Sequence, residues 1–364
     1  MHPYVGLPPK AFWKQAVSDV SALHLSEIYE PRFEITRDTR IAAAGSCFAQ
    51  HIGRQFKTRG YQFVDVEPAP EILGVEDQHA FGYDLYSARF GNLYSARQLV
   101  QLFKRASGEL VPVDQVWEER GRLYDPYRPT IEPDGFESLA ELETSREHHL
   151  SAVSTILSQT DVFVFTFGLT EAWRNIEDGV VYPSCPGTVH GTFDAERHEF
   201  VNFSWPDVMA DFEEFITIAR GINPAMRFLV TVSPVPLTAT ASGRHVLAAT
   251  TASKSILRAV CAELYERYDF LDYFPSYELV ATHPMRAMFF DPNLRTVAPR
   301  GVAHVMDNFF GAHGPVPDSA TAPRRTDATA ETDETEAPRD VPAPTPADED
   351  DVVCDEAILE SFGR

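Results

Sequence analysis

Cysteine is scarce in this chain. Its 364 residues hold four, Cys47, Cys185, Cys261 and Cys354, scattered singly without paired spacing, which argues against a disulfide framework or a zinc site and leaves free thiols. Long apolar runs are missing too. Nothing approaches the roughly 18–20 residues that a membrane span needs, and the start, Met1-His2-Pro3-Tyr4-Val5-Gly6-Leu7-Pro8-Pro9, lacks a basic region leading into an apolar one. No membrane span and a cytoplasmic location are therefore expected. Positive charge is short, with 31 Lys and Arg against 54 Asp and Glu. The net charge of −23 argues against a nucleic-acid partner, because phosphate-backbone affinity rests on clustered basic residues. No Gly-x-Gly-x-x-Gly loop marks a nucleotide site. The histidines at 148, 149, 190 and 198 have no partners at metal-ligand spacing, so no metal is expected and the surface is their expected place.

What is present is an ordinary globular composition, 44% hydrophobic and 12% aromatic. Residues 1–38 read as an irregular, proline-punctuated lead-in with a helical patch over Phe12–Val20. Four apolar runs read as strands: Arg40–Gly45, Asp161–Gly168, Met226–Pro234 and Phe270–Phe274, with a shorter one over Tyr61–Val66. Helical spacing separates them over Phe48–Arg59, Tyr94–Phe103, where Ser95 fits a cap, Ala140–Gln159, Trp205–Arg220 and Ala248–Arg267. Strands alternating with helices predict an α/β domain over 1–312, a parallel sheet between helix layers. From His313 to Arg364 there are 14 Asp and Glu against 4 Arg, which leaves −13 for the body of the chain. Residues 313–351, rich in Pro, Ala, Thr and acids, read as a disordered linker. Residues 352–364 turn apolar again, either a short docking segment or a tail.

In such sheets ligands sit beyond the carboxyl ends of the strands, so the residues after each strand carry the chemistry. The first is the most telling: a short apolar strand runs into Gly45, Ser46 and Cys47 and then into a helix. The glycine permits a sharp turn, and a thiol or hydroxyl at a helix start meets unpaired N–H groups and the positive end of the dipole. That bias favours thiolate. Gly91-Asn92 and Gly168-Leu169-Thr170-Glu171 offer oxyanion donors and a carboxylate. His245, after a loop of small residues, is the candidate base, and Glu278 the candidate to orient it or bind substrate. His51, one helical turn after Cys47, and His283 are weaker alternatives. Arg97, Arg128 and Lys254 are candidates for an anionic part of a substrate, with surface salt bridges the cheaper account. The insertion Gly179–Phe203 reads as a lid.

Gly45-Ser46-Cys47-Phe48-Ala49 is the signature pentapeptide of the GSCFA-domain proteins, which this chain resembles from roughly Pro3 to Phe310. The likeness extends to Gly91–Gln98, Phe167–Trp173, Pro186-Gly187-Thr188, Arg244-His245-Val246, Ser253-Lys254-Ser255 and Asp272–Glu278. The family looks like a branch of the SGNH/GDSL hydrolases. That implies a flavodoxin-like α/β fold and an esterase or acyltransferase acting on an acyl ester of a carbohydrate or other polar small molecule. No cofactor is implied, except acyl-CoA for a transferase. In strict register the SGNH pattern puts Cys47 in the nucleophile slot, and one residue of slip puts Ser46 there. Its second and third blocks fall on Gly91 and on Gly168-Leu169-Thr170. Its final Asp-x-x-His block falls on Arg295 and Ala298, neither of which is a base. Either another histidine, His245, serves, or the fold is a degenerate binding or scaffold module.

Overall fold

The computed structural model describes residues 2–314 and 355–363. Its centre is a five-stranded, wholly parallel sheet in the order β10-β9-β5-β1-β2. In chain order the elements are β1 (Arg40–Gly45), α1 (Phe48–Thr58), β2 (Gln62–Phe63), α2 (Val75–Ala80), α3 (Ala96–Ala106), β3 (Trp117–Glu119), β4 (Arg122–Tyr124) and α4 (Leu139–Gln159). They continue with β5 (Val162–Phe167), β6 (Glu171–Asn175), β7 (Val181–Tyr182), β8 (His198–Asn202), α5 (Trp205–Ile222), β9 (Arg227–Val232), α6 (Val246–Arg267), β10 (Leu271–Tyr273), α7 (Ser276–Ala281) and α8 (Pro299–Ala312). The sheet order is that of doubly wound flavodoxin-like folds, whose direction reverses between β1 and β5.

Side-chain alternation explains why the strands are nearly continuous apolar runs: each is covered on both faces. Ala42, Ala44, Phe163, Phe165, Phe228 and Val230 join a core closed by α3, α4, α5 and α6. Ile41, Ala43, Val162, Val164 and Leu229 face a second core closed by α1, α7 and α8. The alternation is the period of two that a pleated strand imposes. The alanines of β1 leave room for the bulky phenylalanines of β5 beside them.

Several sequence expectations are adjusted. The strand expected over Tyr61–Val66 is reduced to Gln62–Phe63. The Gly179–Phe203 insertion is not a free loop, because β8 and β7 flank β6 in an antiparallel sheet. The β3–β4 hairpin had no reading in the sequence. The lead-in is indeed irregular, with short 3-10 and π turns. His149 and His198 are buried, not on the surface. Of the expected linker 313–351, only His313 and Gly314 lie within the described residues. His313 ends α8, its Nδ1 accepting the Ile35 amide. No helix among the described residues is long and apolar enough to cross a membrane.

Candidate active site

The last residue of β1 makes the turn. Gly45 has φ +142°, and a Cβ there would lie 2.5 Å from the Thr166 carbonyl oxygen and 2.7 Å from its nitrogen, so only glycine fits against β5. The Ser46 amide donates to Thr166 O at 3.1 Å, and Leu93 N donates to Gly45 O at 2.9 Å, which ties the Gly91-Asn92 segment to the strand end. Cys47 is the N-cap residue of α1, and its sulfur does not cap the helix. Ser46 and Cys47 are 2% and 5% exposed.

β5 delivers the facing turn. A Cβ on Gly168 would meet Ser46 Cβ at 2.9 Å and Tyr94 O at 3.1 Å. Gly168 N and Leu169 N both donate to Tyr94 O at 3.0 Å. Helix α6 staples this turn: Thr170 N donates to Ser253 Oγ at 3.0 Å, and Lys254 Nζ donates to Gly168 O at 2.7 Å. Lys254 is 1% exposed, not a surface lysine. Three buried hydroxyls near this turn, on Ser46, Thr166 and Thr170, have no partner among the described residues. Buried hydroxyls rarely go unpaired, so this turn carries hydrogen-bonding capacity that the protein itself does not use.

Asn92 is buried beside α1. Its Oδ1 accepts from Gln50 Nε2 and from the Tyr86 hydroxyl, which orients the amide. Gly91 has φ +71° with open space where a Cβ would stand.

A cleft of about 300 Å³ lies beyond this turn, walled by Tyr94, Leu169, Glu171, Trp173, Leu237 and Thr240. It reaches Tyr94 and Leu169 but is not walled by Ser46 or Cys47. Glu171 opens β6, and its Oε1 accepts from Thr240 Oγ1 at 2.8 Å. Burial raises its pKa, against the opposing effects of that bond and of Arg244. The half-buried Cys185 also lines the cleft, its thiol pushed up to about 11 by burial. The 3-10 segment Asp355–Gly363 sets Leu359 and Phe362 against the same walls.

The other expected residues lie elsewhere. His245 is exposed at the N-cap of α6, where its Nδ1 accepts the Leu247 amide at 3.1 Å. That bond uses the lone pair of the neutral ring and leaves the proton on Nε2, the opposite of what a base toward substrate requires. His51 packs edge-on against Phe48, and burial lowers its pKa to about 4. His283 stacks on Trp13 in the lead-in. Glu278 is engaged by Arg258 Nε at 2.6 Å and the Tyr273 hydroxyl at 2.7 Å, so it does not orient His245. Arg97 pairs with Asp211. Arg128 is buried, its Nε on Asp125 Oδ2 at 3.1 Å, so a surface salt bridge does not describe it. Ala298 is the N-cap of α8, an apolar side chain where the resemblance puts a base.

Sequence reasoning underrated Lys254 and missed Ser253 as a partner of the Thr170 amide. Their only signal was the family-like run Ser253-Lys254-Ser255. Among the described residues, no group of three or more His, Cys, Asp and Glu is placed to hold a metal. No curated protein matches the chain. A model of the GSCFA family matches residues 40–309, well over half of the sequence and the whole stretch from β1 into α8, and the chain belongs to that family.

Proposed function

We propose that this protein is an SGNH-like hydrolase or acyltransferase acting on an acyl ester of a carbohydrate or another polar small molecule, with its nucleophile at the β1–α1 elbow. The supporting observation is the set of unpaired buried hydroxyls of Ser46, Thr166 and Thr170 at the carboxyl ends of β1 and β5, where the sheet order reverses. Cys47 Sγ attacks the ester carbonyl carbon, aided by the amino end of α1. The carbon–oxygen bond breaks, the alcohol leaves with a proton, and water or an acceptor hydroxyl then takes the acyl group from sulfur. Ser46 is the alternative nucleophile. The Gly91 N–H, Asn92 Nδ2 and the Thr170 hydroxyl serve the oxyanion. Lys254, on α6 with its Nζ on the Gly168 carbonyl, holds the turn that packs on Ser46 and so positions the elbow. The Tyr94 and Leu169 layer must part for substrate in the cleft to reach the elbow.

Turnover of p-nitrophenyl acetate checks this in wild type, Cys47→Ala, Ser46→Ala, Lys254→Met and His245→Ala. The first three variants are expected to lose about 100-fold or more in kcat, except that whichever of Ser46 and Cys47 is not the nucleophile loses less. His245→Ala retains activity. Unchanged rates at both 46 and 47 defeat the reading. The apolar Ala298 favours one competitor, a binding module without catalysis. Absence of turnover and of iodoacetamide labelling at Cys47, with saturable binding of an acetylated sugar, would establish it.

A further inference from the structure

A second, smaller cavity of about 20 Å³ lies between α3, the turn at 125–128 and β7, walled by Gln98, Arg105, Tyr127, Arg128 and Pro183 among others. Its charge is unbalanced. Arg105 is 8% exposed, lies over the Tyr127 ring at 4.2 Å and feels Asp125 only through space, with no hydrogen bond from its guanidinium among the described residues. Arg128 holds Asp125 through Nε, while both of its Nη atoms are buried without hydrogen-bond partners among the described residues, as is the Tyr127 hydroxyl. Asp125 is already shared with Arg146 at 3.5 Å. The neighbouring acids are spoken for, Glu67 by His149 and the Arg89 amide, and Glu132 by the Arg89 side chain. Asp125 is thus the shared counter-charge of Arg105, Arg128 and Arg146, and buried guanidiniums outnumbering their counter-charges are costly. In a chain of net charge −23 such a pocket is not a by-product of general basicity.

We propose that this cavity binds a carboxylate group. A guanidinium presents donors in a planar fork that matches a carboxylate. A water occupies roughly 10–15 Å³ on the same measure, so the space admits one or two oxygen atoms and not a tetrahedral anion. Gln98 and Pro183 line both this cavity and the main cleft. Seven residues of α3 separate Gln98 from Arg105, about 10 Å along the helix axis. A ligand that spans the two spaces follows α3 past Gln98. Resting on the function proposed above, this narrows the substrate to an extended acyl ester that carries a free carboxylate. The carboxylate site itself does not depend on that reading.

Calorimetric titration of the full chain with glutarate, with its uncharged analogue glutaramide and with inorganic phosphate tests the assignment. Glutarate is expected to bind wild type and Cys47→Ala alike, to weaken at least tenfold in Arg105→Gln, and to recover in part in Arg105→Lys. Tyr127→Phe, which removes an unpartnered hydroxyl and leaves the packing intact, is expected to weaken it about threefold. Glutaramide and phosphate are expected not to bind. Equal glutarate affinity in wild type, Arg105→Gln and Tyr127→Phe, or glutaramide binding as well as glutarate, overturns the proposal in favour of a water-filled space. Phosphate binding that is lost in Arg105→Gln overturns the carboxylate assignment. Glutarate binding without any ester turnover leaves the site standing and removes the enzymatic reading.

Discussion

At the scale of single residues, backbone space and burial decide what substitutions do. Gly45→Ala would push a methyl group into the Thr166 backbone from a backbone conformation that side chains rarely adopt. The expected loss is about 3 kcal/mol or more, read from the urea midpoint, with Ser46 and Cys47 displaced in whatever still folds. His149 gives a pH prediction. Burial, with Arg128 nearby, lowers its pKa from 6.5 to about 4 in the folded chain. Between those values the unfolded chain holds more protons, so the contribution is complete above pH 6.5 and is lost as the pH falls toward 4. The loss reaches about 3 kcal/mol at its limit. His149→Gln, which keeps a donor for Glu67, should flatten the fall in urea midpoint between pH 7 and 4.5. An equally steep fall in the variant would assign the acid sensitivity to other groups.

At the scale of elements, α3 is the piece that both proposed sites share. It begins with a capping box in which the Ser95 hydroxyl accepts the Gln98 amide and the Gln98 side chain accepts the Ser95 amide. The residue that closes the cap therefore also lines both the cleft and the arginine cavity. Ser95→Ala should cost about 1 kcal/mol, measured by thermal unfolding. It should also loosen the Gln98 side chain, which loses the Ser95 hydroxyl at 3.2 Å while keeping the Ser95 amide, and so weaken glutarate binding modestly without touching Arg105. The strand β5 and the helix α6 act as a pair in the same way, one bringing Gly168 against Ser46 and the other fixing that turn through Ser253 and Lys254.

At the scale of the whole molecule, the C-terminal 3-10 segment returns to the domain. Leu359 and Phe362, three residues apart and hence on one face of such a helix, lie against the apolar side of the cleft. An apolar ester or dye competes with them for the same surface. Leu359→Asp combined with Phe362→Asp is expected to lower the KM for p-nitrophenyl butyrate, or the Kd of an apolar fluorescent dye, by about threefold or more. Unchanged values in the doubly substituted chain would mean that the segment does not occlude the cleft.

Much of this was legible in the residues themselves, because it depends on local periodicity. The apolar runs of β1, β5, β9 and β10, the helical spacing between them and the glycine before Ser46-Cys47 dictate a parallel sheet with a sharp elbow at its mouth. The sequence determined that much, since strand burial, helix spacing and a glycine-only turn leave marks within a few neighbouring positions. It did not reveal the β3–β4 hairpin or the β6–β7–β8 sheet, whose short polar strands carry little pattern. It also left His245 as a base, and Arg128 and Lys254 as either anion-binding or surface salt-bridge residues. Only the tertiary structure decided that the imidazole caps a helix, that the lysine is sealed behind Gly168 and that the arginines line a cavity, because desolvation and hydrogen-bond partnership are set by residues far away in the chain.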